Sequence, residues 1–327
     1  MKKLILLVNT FLCLTHSFSQ SAITAVVTIT SNASSIYTYS NSGNTYNWGV
    51  GPNNTVETFT GFTVGGVSFT YASALKGNVK LRRVDNAKIT GNFSLVWAET
   101  VTNGTIFNMF PEYQNDMEPF FNNRVYNKGT DNLFDNTSAN CNNIERLDWI
   151  LNSPFSTPVP SQLGFAVFER GAAGAHDPFC IAAITSVDGL GNPATYSNIL
   201  RVATASYGEL GPSLNYRILK AQYPTDLLDA SANTQNRGGV FITFQSLGIV
   251  ANQTIYGYSL LANDLPGGAT PSNLVDFTNA TYFPTNTGNA GRIDLLAITG
   301  ISISITELPT RFISLFGAVN NNIVSLG

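Results

Sequence analysis

Apolar and polar residues alternate with a period of two in several segments of the chain, which is the pattern of β-strands with one buried face. No convincing stretch has the three-to-four spacing of an amphipathic helix. Clusters of Gly, Pro and Asn separate the apolar segments, as in turns between short strands. The pattern predicts strands at residues 23–30, 65–71, 79–85, 93–100, 144–151, 165–170, 180–188, 216–221, 240–245, 254–261 and 292–306.

Many short strands joined by such turns predict an all-β fold, either an antiparallel β-sandwich or a jelly roll. We expect one domain over residues 20–307, which could be divided into strand clusters at 20–108 and 144–307. Residues 109–143 are rich in Asn and Asp, have weak periodicity, and are expected to form a long loop insertion or small cap. Residues 308–327 begin a further strand segment. It either packs on the main domain or is truncated before a longer C-terminal part.

The first residues have the pattern of a cleavable signal peptide. An apolar run at residues 4–14 follows a positive start, and Ser17 and Ser19 precede an expected cleavage site before Gln20. The run is too short to cross a bilayer, and no later segment has the roughly eighteen apolar residues of a membrane helix. The sequence therefore predicts a signal peptide over residues 1–19 and an exported protein, extracellular or on the cell surface, with no transmembrane segment.

Charge is sparse in this chain. Asp, Glu, Lys and Arg make up 11% of the residues, and the net charge of −3 becomes −5 once Lys2 and Lys3 are removed. Lysine and arginine form no basic run, which argues against a nucleic-acid partner and against a polybasic membrane patch. Asn, Thr, Ser and Gly build the polar surface instead, which is typical of extracellular β-proteins.

Two cysteines remain after Cys13 leaves with the signal peptide, Cys141 and Cys180. In an oxidising compartment two cysteines most simply pair, so we expect a Cys141–Cys180 disulfide. The alternative is two buried free thiols, because sequence alone does not show that their backbones approach.

The sequence lacks the residues that most kinds of catalytic site require. His176 is the one histidine after the signal peptide, whereas zinc hydrolase sites need two or three. There is no nucleophile elbow, P-loop or dinucleotide fingerprint. Residues 171–178 are expected to form a hairpin turn between two strands, with His176 solvated in it.

Two similar dipeptides interrupt apolar strands, Glu145-Arg146 and Glu169-Arg170. Buried charges are normally paired, so we expect adjacent strands with structural ion pairs between these residues. The alternative is an acid–base pair in a cleft, as in glycosidases.

A second group of carboxylates lies at Asp131 and Asp135, in a short loop with Asn132 and Asn136. Calcium binds carboxylate, amide and carbonyl oxygens, so this loop is a candidate calcium site, although it does not match the EF-hand pattern. The alternative is a solvated loop rich in Asx turns. No other cofactor is expected.

Four aromatic residues lie in a polar stretch near the start of the mature chain: Tyr37, Tyr39, Tyr46 and Trp48. Flat rings among amides are typical of sugar-binding faces, because the rings stack on sugar rings and the amides bond hydroxyls. The alternative is ordinary packing of strand aromatics on the core.

Several strings between residues 46 and 290 resemble an uncharacterised group of secreted surface proteins from Bacteroidota. They are YNWGVGPNNTVETFTGFTVGGVSFTY, LRRVDNAKITGN, NKGTDNLFDN, NNIERLDWI, GFAVFERG, IAAITSVDGLGNP, SLGIVANQTIYGYSLLANDL and FPTNTGN. The terminal ELPTRFISLFGAVNNNIVSLG is similar to the segment that precedes a type IX secretion tail in those bacteria. The resemblance implies an extracellular, strand-rich protein and brings no catalytic residues.

Together these features predict a secreted, non-enzymatic surface or adhesion protein that binds a glycan or another cell-surface component through its loops. A carboxylate-dependent glycan hydrolase or lyase is the first alternative. A structural spacer or polymer subunit of the cell surface is the second.

Overall fold

The computed structural model shows an all-β protein, and its described residues form three sheets. Most of the predicted signal peptide, residue Cys141 and the segment 308–327 lie outside the described residues. The described residues are 19–31, 35–41, 44–49, 56–72, 75–84, 94–100, 106–109, 118, 121, 126, 128–135, 144–222, 226–284 and 291–304.

Strands are the main elements of the described chain. In the described part, no helix has the length and apolar character that a membrane span requires. Short 3-10 helices are found at Thr204–Ser206, Gln245–Leu247 and Pro271–Leu274. The strands are β1 Gln20–Ser31, β2 Ser35–Asn41, β3 Asn44–Gly49, β4 Val56–Val64, β5 Val67–Tyr71, β6 Gly77–Arg83, β7 Ser94–Thr100, β8 Ile106–Met109, β9 Lys128–Thr130, β10 Ile144–Phe155, β11 Leu163–Gly171, β12 Phe179–Val187, β13 Pro193–Tyr196, β14 Leu200–Val202, β15 Gly208–Glu209, β16 Leu214–Gln222, β17 Asp226–Thr243, β18 Ile255–Leu261, β19 Leu295–Ile298 and β20 Ser302–Ser304.

Six strands close into a barrel, in the order β11, β20, β5, β4, β1, β17 and back to β11. Each neighbouring pair is antiparallel. Strand β17 pairs with the whole of β11, but with β1 only through Gln20, Ser21 and Ala22. Register shifts in the β1–β4 pair, between Ile23 and Ala25 for example, bend the sheet as closure requires. Directly beyond Ala22, β15 takes the place of β1 beside β17, through the pairs Gly208–Gly239 and Glu209–Gly238.

The other strands extend this barrel or form separate sheets. Beyond the barrel, β17 continues into a ladder with β16, β7 and β9. A second sheet has the order β13, β12, β18, β10, β6, with β14 also paired to β12. A small third sheet contains β2, β3 and β8, in which β3 and β8 are parallel. Apart from that pair, the described ladders are antiparallel.

Strand β11 contributes to two hydrophobic cores because its residues alternate between its faces. Ala166 and Phe168 belong to the core inside the barrel. Phe165 and Val167 belong to a larger core between the barrel wall and the second sheet, where the rings of Phe165 and Tyr258 are 4.2 Å apart. A third cluster covers the far face of the second sheet. Both faces of β11 are thus buried along its whole length.

The sequence-based prediction of an antiparallel all-β fold is confirmed, and each predicted strand overlaps a strand of the structure. The closed barrel was not predicted. Both expected strand clusters contribute to it, since β1, β4 and β5 precede residue 108 and β11, β17 and β20 follow residue 144. The predicted loop at 109–143 contains β9 and a bridge between Leu133 and Ile293.

The packing of the barrel core predicts a large contribution of Phe168 to the free energy of unfolding. Its side chain is fully buried, with ring centroids 5.0 Å from Phe59 and 5.5 Å from Tyr126. Phe168→Ala should lower the free energy of unfolding by about 3–5 kcal/mol, because it leaves a cavity in a closed core. Leu190→Ala, at a turn residue that is 88% exposed, should change it by less than about 0.5 kcal/mol. Urea unfolding measures both, and equal effects would contradict a packed barrel interior.

Candidate functional site

The end of β11 carries two fully buried charges, Glu169 and Arg170. Neighbouring residues of a strand point to opposite faces. Glu169 therefore follows Phe165 and Val167 towards the space between the sheets, and Arg170 follows Phe168 towards the barrel. Each charge needs its own partners on its own side of the strand, because an isolated buried charge is very costly.

Arg170 has partners from several elements. Its Nη2 donates to Asp131 Oδ1 at 2.9 Å and to the Thr130 carbonyl at 2.7 Å, and its Nη1 contacts Gln235 and lies 3.8 Å from Asp294 Oδ2. Burial raises the pKa of Asp131 to about 6, with Asp294 adding to the rise and Arg170 opposing it. The charge of the guanidinium is thus balanced through Nη1 and Nη2, whereas its buried Nε has no hydrogen-bond partner among the described residues.

His176 is buried, so the prediction that it is solvated in a hairpin turn was wrong. The connection at residues 171–178 is not a hairpin, since β11 belongs to the barrel and β12 to the second sheet. The chain crosses between layers here, and the ring of His176 is packed against Gly238 of β17 and 5.2 Å from the ring of Tyr207.

Both ring nitrogens of His176 contact carboxylates. Nδ1 contacts Glu169 Oε2, and Nε2 lies 3.1 Å from Glu209 Oε1. Burial lowers the pKa of His176, but the hydrogen bond and charge of Glu169, with a contribution from Glu209, raise it overall above its ordinary value. Neither nitrogen is left to accept a proton from a nucleophile, so the arrangement does not resemble the base of a catalytic triad.

Three carboxylates meet beside this histidine. Oxygens of Glu169, Asp177 and Asp294 all lie within 4.8 Å of one another. Burial raises the pKa of Asp177 to about 6, and the charge of Asp294 adds to the rise. Burial also raises the pKa of Glu169 to about 8, although the hydrogen bond from His176 opposes it. The cluster therefore has an excess of negative charge when all three groups are ionised.

The predicted calcium loop lies next to this cluster, and its carboxylates are buried in ion pairs. Asp131 pairs with Arg170, and Asp135 Oδ2 lies 3.7 Å from Arg292 Nη1. Asn132 and Phe134 have positive φ angles, which turn the backbone sharply between the two acids. Asp131 and Asp135 are thus 7% and 1% exposed rather than solvated.

The expected pairing between the two Glu-Arg dipeptides is not found. Glu145 and Arg146 lie on β10 of the second sheet, whereas Glu169 and Arg170 lie on β11 of the barrel, and these strands do not pair. Arg146 instead donates to Asp148 on its own strand at 2.7 Å. All four dipeptide side chains are buried, as the prediction of structural charges required, but the partners are different.

Cys180 is a fully buried free thiol, which gives no support to the predicted disulfide with Cys141. Burial raises the pKa of the Cys180 thiol to about 11, although Arg201 opposes the rise. A thiol with so high a pKa is largely protonated at neutral pH and is a poor nucleophile.

The four aromatic residues predicted to bind sugar lie on β2 and β3. The register places Tyr37 opposite Trp48 and Tyr39 opposite Tyr46. Alternate positions that face each other across an antiparallel pair share one face of the hairpin. The four positions are therefore brought together by the backbone. Their side chains lie outside the described part of the structure.

A cleft of about 430 Å³ opens where β1 leaves β17. Its lining includes Ala25 of β1, Glu57, Tyr126 and Arg237. The guanidinium of Arg237 lies 4.5 Å from the centroid of the Tyr126 ring, and its Nη1 is 3.2 Å from Glu57 Oε2. Arg237 is buried, and its Nε has no hydrogen-bond acceptor among the described residues. The ion pair beside an aromatic ring gives the cleft both polar and apolar groups for contact with a ligand.

Several residues of these sites were missed from the sequence, namely Glu57, Tyr126, Asp177, Glu209, Arg237 and Asp294. One local signal was available. Gly238-Gly239 follows Arg237 within a strand, and paired glycines in a strand indicate that another group approaches the backbone closely. That group is the ring of His176 at Gly238 and the side chains of Leu210 and Phe168 at Gly239.

Gly238 provides the test of this packing. A Cβ atom there would lie 2.6 Å from His176 Nε2, so Gly238→Ala should displace the ring from Glu209 and lower the free energy of unfolding by about 1–3 kcal/mol. Gly267→Ala is the control, since a Cβ atom there meets nothing within 4 Å. Chemical denaturation of both variants should separate them, and a neutral Gly238→Ala would show that the ring does not occupy this position.

Comparison of the chain with protein-family models, curated proteins and solved structures finds no match. The resemblance to secreted surface proteins of Bacteroidota therefore stays a prediction. A function is therefore inferred from two groups of residues, those that line the cleft and those that form the carboxylate cluster.

Proposed function

We propose that the protein is a secreted, non-enzymatic surface protein that binds a glycan, or another hydroxyl-rich cell-surface component, in the cleft between β1 and β17. The observation that carries this proposal is the cleft itself, whose lining combines the Arg237–Glu57 ion pair with the ring of Tyr126. The volume of about 430 Å³ is within the range of small-molecule sites. The signal peptide predicted at residues 1–19 and the resemblance to surface proteins support a location outside the cell.

The charges of the cleft favour a neutral ligand over an anion. Arg237 is paired with Glu57 at 3.2 Å, so its positive charge is already balanced. What the pair offers to a ligand is hydrogen bonding, from the Arg237 guanidinium and the partly exposed Glu57 carboxylate. Sugar hydroxyls both donate and accept, and they match such a mixed set of groups.

The β2–β3 hairpin is a candidate second contact surface. Its register brings Tyr37, Tyr39, Tyr46 and Trp48 to neighbouring positions. Aromatic rings in this arrangement would stack on sugar rings, as the sequence predicts.

We also propose that the barrel wall and the second sheet act as the two layers of a sandwich-like support that holds the cleft rigid.

The carboxylate-dependent hydrolase is less well supported. Such an enzyme needs two accessible acids about 5–10 Å apart. Among the described residues that line the cleft, Glu57 is the one carboxylate. The cluster of Glu169, Asp177 and Asp294 offers closer acids, but Glu169 is fully buried and could not contact a polysaccharide.

A glycan array with the mature chain, followed by affinity measurements on the strongest hit, tests the proposal. Ala25→Trp should weaken binding at least tenfold, because Ala25 is exposed and lines the cleft, so the indole fills it. Ala22→Trp is the matched control, since it is an exposed alanine of the same strand outside the cleft lining, and it should bind within twofold of wild type.

Two results would contradict the cleft as the binding site. One is the absence of any glycan hit, and the other is unchanged affinity of Ala25→Trp. Trp48→Ala in the same assay tests the hairpin separately. If Trp48→Ala abolishes binding and Ala25→Trp does not, the glycan binds to the hairpin and the cleft proposal fails.

A further inference from the structure

The carboxylates of Glu169, Asp177 and Asp294 converge from three separate parts of the fold. Glu169 lies two residues before the end of β11, Asp177 lies in the connection to β12, and Asp294 directly precedes β19. Their oxygens lie within 4.8 Å of one another. Like charges at this distance repel strongly in a partly buried environment, so the cluster is stable only when it holds protons or a cation.

The nearby cations are already engaged by other acids. Arg170 lies 2.9 Å from Asp131 and only 3.8 Å from Asp294. His176 is shared between Glu169 and Glu209. Around the cluster, the acids among the described residues therefore outnumber the basic groups that contact them, and further positive charge would be stabilising there.

A second observation points to a ligand. Glu169 is fully buried, and its Oε1 has no hydrogen-bond partner among the described residues. Its other oxygen contacts His176. A buried carboxylate oxygen without a donor is rare, because burial removes the water that would otherwise solvate it.

We propose that Glu169, Asp177 and Asp294 bind a hard divalent cation, and that calcium fits best. Carboxylate oxygens without nitrogen or sulfur ligands are the donor set of calcium and magnesium. Calcium–oxygen distances of about 2.3–2.6 Å allow oxygens on one ion to lie up to about 4.6–5.2 Å apart, so three oxygens within 4.8 Å of one another can share one calcium ion. Magnesium demands near-ideal octahedral geometry at about 2.0–2.1 Å, whereas calcium accepts irregular sets of oxygens.

Groups around the cluster hold the ligands in place, as in known metal sites. His176 contacts Glu169 Oε2 and leaves Oε1 for the ion. The backbone N–H of Asn132 donates to Asp294 Oδ1 at 2.8 Å, and Gln235 Nε2 donates to Oδ2 at 3.2 Å. Asp177 and Asp294 are only partly buried, so water can supply the remaining ligands. This site uses none of the carboxylates of the predicted Asp131–Asp135 loop.

The experiment is a calcium titration of the mature chain after treatment with chelator, followed by calorimetry and by thermal unfolding. Wild type should bind calcium, and its Tm should rise by roughly 5 °C at about a hundred times the Kd. Magnesium should bind at least tenfold more weakly. Asp177→Asn should lose the calcium-dependent rise while its Tm in chelator stays equal to that of wild type or increases, because the substitution also removes repulsion.

Asp188→Asn is the matched control, since it removes one exposed carboxylate outside the cluster and should keep the full calcium response. Glu169→Gln is a second ligand variant, and circular dichroism shows whether each variant is folded. No calcium binding by wild type would overturn the proposal. It would also be overturned if Asp177→Asn and Glu169→Gln, both folded, responded to calcium as wild type does.

Discussion

The burial of β11 on both faces is the constraint on which the rest of the structure depends. One face fills the barrel and the other packs on the second sheet, so no residue of this strand reaches water. The strand nevertheless ends in Glu169 and Arg170. Two charges buried on opposite faces require compensating groups from both layers. These groups come from the 171–178 connection, the Asp131 loop, β15, β17 and Asp294, all of which lie against the end of β11.

The burial of β11 also connects the charged residues around Arg170 with the cleft at Arg237. Arg170 of β11 and Arg237 of β17 lie directly opposite each other in the ladder. Two like charges at such positions are destabilising unless each is neutralised. Asp131 neutralises Arg170, and Glu57 with the ring of Tyr126 stabilises Arg237. One pair of arginines therefore accounts both for the acidic surroundings of β11 and for the polar wall of the cleft.

The sequence pattern was sufficient for the strands but not for their long-range partners. Short apolar runs bounded by turn residues identified β11 and the end of β17 as strands. Closure, however, depends on β1 meeting β17 more than two hundred residues away, which local periodicity does not encode. His176 was misjudged because Gly, Ala and Asp around it are typical of a hairpin turn, whereas the chain in fact crosses between layers. Asp177 and Asp294 are 117 residues apart and could not be associated from spacing. The expected pairs between the two Glu-Arg dipeptides were wrong, but Arg146 and Arg170 each have a carboxylate partner, Asp148 and Asp131, because a buried charge needs compensation.

A double-mutant cycle between Arg170 and Asp131 tests this account most directly. Arg170→Met should lower the free energy of unfolding by about 3–5 kcal/mol, because it leaves buried carboxylates without their cation. In Arg170→Met/Asp131→Asn one of those carboxylates is also removed, so the loss should be smaller than the sum of the single losses by about 1–3 kcal/mol. Additive effects within about 0.5 kcal/mol would show that the two residues are not coupled, and would contradict the compensation of buried charge at the end of β11.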